Sequence, residues 1–306
     1  MKSSVRESPS PTPPSAGDFQ RKALPYLVWV AIGLVWGTSW AVIRVGLRDL
    51  PPFTFAGIRT TLGALALVSL AIVAQPGRRP PAREVRFWLI VGVPQLGLPY
   101  AFIFWGEQTI SSGLTALLFA TFPTFTVLFS HYLVPEERLT GRRLGGTLLA
   151  AVAVLVLVNP LVGEMPPLLP VLAILGAAVS GSFGAVMVRR HGRRTSTLWL
   201  TALQLVTGAA FLLGLALVFE RGRAAEFTPT AIASIVYLGL VVSVGCYLGL
   251  FWLLKRLDTT FVSMGVIFET FVAVTIGAAA LGEAVGWRMA AGLVLVAISV
   301  VLVNRT

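Results

Sequence analysis

Charge is the first thing this chain is short of. Asp, Glu, Lys and Arg make up 12% of its 306 residues, against roughly 25% in an average soluble domain. Hydrophobic residues fill 56% of the chain and mean hydropathy is +0.83, more apolar side chain than a water-soluble surface can carry. Cysteine is nearly missing too. Cys246 is the single one, so an internal disulfide is excluded, and its apolar neighbours point to packing. The two histidines, His131 and His191, have no cysteine or carboxylate at zinc-ligand spacing, so no metal and no cofactor is expected. A GxxxxGK[ST] phosphate loop and a nucleophile elbow are both absent, which argues against an enzyme and against ATP bound to this chain as a power source. A K⁺-type filter is absent as well, which argues against a selective ion channel.

What is present is a series of apolar runs of about 20 residues, the length of a membrane-crossing helix. Their Gly and Ala content suits close helix contact, and the short alternating segments of a porin do not appear. The expected fold is an all-α polytopic membrane protein with ten spans, starting near residues 25, 53, 87, 112, 144, 168, 197, 231, 260 and 288. Distributing the loops on alternating sides explains the net charge of +11 without nucleic acid. One side receives eighteen basic residues: Lys2, Arg6, Arg21, Lys22, Arg78, Arg79, Arg83, Arg86, Arg138, Arg142, Arg143, Arg189, Arg190, Arg193, Arg194, Lys255, Arg256 and Arg305. The other receives five, Arg44, Arg48, Arg221, Arg223 and Arg288. That bias places both termini in the cytoplasm. The Ser- and Pro-rich residues 1–22 read as a disordered cytoplasmic tail, and the run after them is too long for a secretory peptide.

The chain also repeats itself. Tyr100, Phe104 and Trp105 recur 147 residues later as Tyr247, Phe251 and Trp252, and Glu136 recurs as Glu283. Arg59 and Gly63 lie 145 positions ahead of Gln204 and Gly208. The expected halves are residues 23–160 and 161–306, five spans each. Because five is odd, the halves enter the membrane from opposite sides, which makes them inverted repeats about an axis in the membrane plane, with a central cavity where they meet. Gly33 and Gly37 in span 1, and Gly245 and Gly249 in span 8, are spaced for close helix approach, either as a rocking surface or as a static seam.

Within this frame a few polar residues stand out. Glu269 falls near the middle of span 9, where a carboxylate is costly unless it faces a cavity, is paired or is protonated. It is a candidate for proton handling, for binding a substrate ammonium, or for pairing between helices. Arg59 is the only basic residue well inside a span; it either snorkels to the interface, pairs with another helix, or holds a substrate carboxylate. Trp36 lies deeper than an interfacial belt requires and Tyr100 and Tyr247 lie well inside their spans, so these three either line a cavity or pack; Trp40, on the same face of span 1 as Trp36, is a further cavity candidate. Gln95 and Gln204 offer amides to a cavity or to neighbouring helices. Pro123 in span 4 is a candidate helix break that frees a backbone carbonyl. Glu136, Glu137 and Glu283 sit at span ends and are expected to pair there.

The stretch Trp36-Gly37-Thr38-Ser39-Trp40, Arg59 in span 2, Pro123 followed by Glu136, and Leu281-Gly282-Glu283 after span 9 resemble the EamA family of the drug/metabolite transporter superfamily. Gly145 and Gly292, each nine residues after Glu136 and Glu283, fit the same pattern. The resemblance covers about residues 25–304 and implies a five-plus-five inverted repeat that exports small metabolites across a bacterial inner membrane. Amino acids, aromatic ones included, are the implied solute class. The implied partners are a small-molecule solute and membrane lipid, with the protein a monomer or weak dimer. An uptake carrier or multidrug exporter of the same fold is the alternative, and a membrane-embedded enzyme or lipid scramblase the competing class. One departure is visible: the proline that the family often carries thirteen residues before the second-half glutamate is Thr270 here.

Overall fold

The computed structural model describes residues 16–134, 139–158, 166–192, 195–257 and 259–304. Glu136, Glu137, the boundary at 160/161 and the tail through residue 15 lie outside the described residues, as does the side chain of Phe251. The described residues contain helices and no strands. Among the described residues ten helical segments are long and apolar enough to cross a membrane: Ala23–Gly46, Pro52–Ala74, Ala82–Gly106, Ser112–Leu133, Gly141–Val158, Leu168–His191, Thr197–Phe219, Pro229–Leu250, Phe261–Leu281 and Trp287–Asn304. They are spans 1 to 10 below.

Span 3 starts five residues earlier than its apolar run, at Ala82 instead of 87. The helix nucleates directly after Pro81 and carries Arg83, Glu84 and Arg86 through its first turns, where hydropathy alone sees only charge. The first helix likewise begins at Ala16, inside the stretch expected to be a disordered tail to residue 22. The helix runs through Pro25, which removes one bond from its backbone ladder, and meets no further proline before Pro14. Other starts carry ordinary signals. Ser111, Ser196 and Thr228 accept from the backbone N–H three residues on, and Pro52 and Pro229 sit in first turns. Span 9 ends at Gly282, whose φ of 67° is in the left-handed region that glycine reaches at little cost.

The helices pair across the two halves. Span 2 packs on span 7, span 5 on span 10, span 1 on span 9, and span 6 on spans 3 and 4. Exchanging the first five spans with the last five maps 2·7 and 5·10 onto themselves and 1·9 onto 6·4, as expected of two like halves related by a twofold exchange. The seam between spans 1 and 9 is tight enough to need glycine. A Cβ at Gly37 would stand 2.8 Å from the Glu269 carbonyl oxygen and 2.5 Å from the Val272 Cβ.

Spans 3 and 8 share a feature that hydropathy gives no hint of. Each contains a stretch of π-helix, Val93–Gly97 and Tyr237–Cys246, and residues 93–97 shifted by the repeat length fall inside the second stretch. Such bulges rotate the side chains that follow them and concentrate at functional sites. Span 4 is broken as Pro123 suggests, ending one helix at Phe119 and resuming at Phe122. Span 9 is also interrupted, around Met264 between Ser263 and Gly265, although no proline stands at position 270. The second half therefore keeps a break, moved toward the start of its span.

Two carboxylates from the second half close one end of the bundle. Glu220, at the end of span 7, accepts from the Phe53 and Thr54 backbone N–H groups, both at 2.7 Å, and from the Thr54 hydroxyl at 2.6 Å. Glu283 does the same for span 4. It accepts from the Ser112 and Gly113 N–H groups at 2.7 and 3.1 Å and from the Ser112 hydroxyl at 3.0 Å. Both satisfy donors that a helix N-terminus leaves open, with the helix dipole adding to the attraction. Glu283 thus pairs at a span end, as its position suggested, but with backbone rather than with a basic side chain. Behind these caps lies the largest apolar cluster, with Leu50, Phe55, Phe104, Ile110, Leu117 and Ile235 buried together.

Candidate transport cavity

A cavity of about 330 Å³ lies between the halves, bounded by spans 1, 2, 3, 4, 6, 8 and 9. Its floor and walls are mostly apolar, with a few polar groups converging: Ser39, Arg59, Gln95, Tyr100, Tyr247 and Glu269. That volume and mix fall in the range of small-molecule sites, roughly 300–1,000 Å³.

Arg59 comes from the third turn of span 2 and is 3% exposed, so it does not snorkel to an interface. Its guanidinium lies 4.0 Å from the Tyr100 ring centroid and 5.1 Å from that of Phe104, a cation held on aromatic faces where water is excluded. One terminal nitrogen stands 3.5 Å from the Leu238 carbonyl in the π-helical stretch of span 8. The Ser243 hydroxyl also donates to that carbonyl, at 2.9 Å. The Arg59 Nε is buried with no partner. Among the described residues no ion pair joins Arg59 to Glu269, so the helix-pairing reading for these two is not realised in this structure.

Glu269 enters the cavity from the middle of span 9, on the turn whose backbone rests against Gly37. Among the described residues its carboxylate has no hydrogen-bond partner, and it is not paired with a base. Trp36 lies beside Tyr247, ring centroids 6.4 Å apart, and Trp40 beside Phe119 at 5.6 Å. Tyr100 and Tyr247, equivalent residues of the two halves, both line the cavity. Gln95 also lines it, but its amide oxygen is turned into the protein and buried without a partner, pressed against Gly184 of span 6. Pro123 does not line the cavity; it sits in the first turn of the second segment of span 4. The Phe122 carbonyl in the same turn accepts from the Ser182 hydroxyl at 2.7 Å and from the Thr126 hydroxyl at 3.0 Å, and Phe119 and Phe122 line the cavity wall.

Gln204 is the candidate the structure places elsewhere. It is 4% exposed and does not line the cavity. The Gly92 turn of span 3 lies so close that a Cβ there would come within 2.9 Å of the Gln204 Cα, so this part of span 7 is committed to packing. Arg59 and Gln204 are equivalent by sequence, but only Arg59 reaches the cavity. Two features had no counterpart among the expectations. The π-helical stretches are set by backbone register, which leaves no compositional mark. Glu107, which is fully buried, follows span 3 in a short loop without basic residues; the missing counter-charge was the available signal.

Ten apolar helices among the described residues, arranged around a cavity with aromatic and charged lining, are the architecture of a multi-pass membrane protein. The chain belongs to the EamA-like transporter family, whose model matches residues 23–159 and again 168–305. It is 26% identical to the uncharacterized transporter YoaV of Bacillus subtilis (strain 168), over 87% of this chain and 92% of that one. Identity to the uncharacterized transporter YvbV of the same organism is 30%, over 89% and 88%. A probable terminal-alkyne amino-acid exporter of Streptantibioticus cattleyicolor is 28% identical over 91% of this chain and 93% of its own. A solved crystal structure with 22% identity superposes with a TM-score of 0.66, covering 92% of this chain and 98% of the other, and so has the same fold.

Proposed function

We propose that this transporter exports small metabolites of the amino-acid class, aromatic ones among them, across a bacterial inner membrane by alternating access, with both termini in the cytoplasm. The observation that carries this reading is the cavity itself. One guanidinium fixed on aromatic rings and one carboxyl group without a partner among the described residues line the same space. A zwitterion offers a carboxylate to Arg59 and an ammonium to Glu269, and Trp36, Trp40 and Tyr100 supply faces for an aromatic side chain. The similarity to a protein named as an amino-acid exporter agrees with this class, and the distribution of basic residues supports the orientation.

In the proposed cycle Glu269 alternates between binding the solute ammonium and carrying a proton. A proton entering from the far side displaces the ammonium, neutralises the carboxyl and lets the empty cavity return. Rocking of spans 1 and 9 against spans 4 and 6, the two equivalent pairs, would open one end and then the other.

The test is uptake and efflux of a labelled amino-acid panel by protein reconstituted in liposomes, with and without a pH gradient. At least one aromatic amino acid should be moved, and faster when the gradient is imposed. Glu269→Gln should remove the effect of the gradient while leaving the protein folded. Movement of no amino acid would sink the solute class, and a gradient effect unchanged in the variant would remove the proton role of Glu269.

A further inference from the structure

Glu107 lies at the capped end of the bundle, away from the cavity. It closes span 3, is 0% exposed, and both of its carboxyl oxygens are buried without a hydrogen-bond partner. A carboxylate left like that in a protein interior lacks the solvation its charge requires. Two charged groups act on it: Arg44 near the end of span 1 and Glu283 in the turn after span 9. Arg44 does not neutralise it directly, because its guanidinium donates to the Glu107 backbone carbonyl. Span 6, which packs behind Gly106 through Ile174 and the Pro170 carbonyl, presents no titratable group at this contact. The N-terminus of span 4 offers Ser111 and Ser112, and its free N–H groups are already taken by Glu283.

Glu283 is held differently. Three donors at a helix N-terminus hold its two oxygens. The fit is close: a Cβ on Gly277 would come within 2.4 Å of a Glu283 carboxylate oxygen and 2.9 Å of the Ser112 hydroxyl. Glu283 thus ties the second half to the first half at this end.

We propose that Glu107 and Glu283 form a proton-dependent latch: a proton on Glu107 allows Glu283 to hold the span 4 N-terminus, and its loss to water drives the two carboxylates apart and loosens this end of the bundle. The reaction is a single ionisation. The Glu107 O–H bond breaks, the proton leaves to solvent, and the second negative charge repels Glu283 from its cap. Burial first, and the charge of Glu283 second, hold the Glu107 carboxyl well above the usual carboxylate range, with Arg44 acting in the opposite sense. A carboxyl raised in the folded state gives its full stabilisation below the ordinary value and loses it as pH rises through the raised value. The latch therefore holds at low pH and releases as pH rises.

The experiment uses the full chain in lipid nanodiscs without added solute, so its outcome does not depend on which molecule is transported. Infrared difference spectra should show a protonated-carboxyl band that titrates away on raising pH, lost in Glu107→Gln and retained in Glu269→Gln. Hydrogen exchange of the peptide spanning residues 107–118, corrected for the intrinsic effect of pH, should rise by about tenfold over the same range. It should stay slow in Glu107→Gln. In Glu283→Gln, which keeps an acceptor but removes the charge, the infrared transition should move to lower pH. Exchange at this end that does not vary with pH in the wild type, or that varies equally in Glu107→Gln, overturns the latch. If Glu107→Gln does not fold, an unmoved transition in Glu283→Gln overturns it.

Discussion

Arg59→Ala is expected to raise the half-saturation concentration for the transported amino acid by about 10–100-fold, the equivalent of roughly 1.5–3 kcal/mol for a lost hydrogen bond to a charged group. The side chain is already fixed by Tyr100 and Phe104 before any solute arrives, so little ordering remains when a carboxylate binds. Arg59→Lys should recover only part of the loss, because an ammonium on a flexible stem keeps the charge but neither the planar fork nor the stacking on Tyr100. Transport by the purified, folded variants separates this from a structural role. If Arg59 only supports the helices, Arg59→Ala lowers the yield or melting temperature while the molecules that fold keep normal half-saturation.

The second large effect is expected at the seam between spans 1 and 9. Gly37→Ala should cut transport at least about tenfold, whereas Gly33→Ala should cut it much less. The two glycines sit one turn apart, but their neighbours differ. At Gly33 the new Cβ meets the Phe268 ring, a side chain that can turn aside. At Gly37 it meets the Val272 Cβ and the Glu269 carbonyl oxygen, and these move only if span 9 moves. Overpacking of this kind costs about 1–3 kcal/mol, and here the displaced backbone carries the cavity carboxyl. Transport rates of the two variants, normalised to folded protein, check the contrast. Equal tolerance at both positions would mean that the seam does not position Glu269.

The features most readable from the sequence are those written in hydropathy. Apolar runs mark the spans because a helix needs about 20 apolar residues to cross a bilayer, and the cost of a buried charge draws attention to Arg59 and Glu269. Which face of a helix points inward was harder. Gln95 and Gln204 look alike in sequence, yet a π-helical stretch carries Gln95 into the cavity wall while the close approach of Gly92 buries Gln204 among helices. Facing is set by the register of two packed helices together, and neither segment holds that information alone. Glu107 was missed for a related reason. An acid one residue past a span reads as interfacial, and its enclosure comes from Arg44 and Glu283, which are 63 and 176 positions away in the chain. Thr270 shows the reverse: the proline that would break span 9 is absent at this position, and the chain breaks near Gly265 instead.

The central claim is that the solute occupies the space between Arg59 and Glu269. Ser39 lines that space and is small enough to exchange for a thiol, and Cys246 is the only native cysteine. The direct measurement is thiol labelling of Ser39→Cys in a Cys246→Ser background, in liposomes that still transport, with and without the amino acid that the panel shows to move fastest. Labelling slowed in proportion to occupancy, with half-protection near the half-saturation concentration of transport, is the result predicted here. A labelling rate unchanged at saturating solute, in protein that still transports it, would contradict the account.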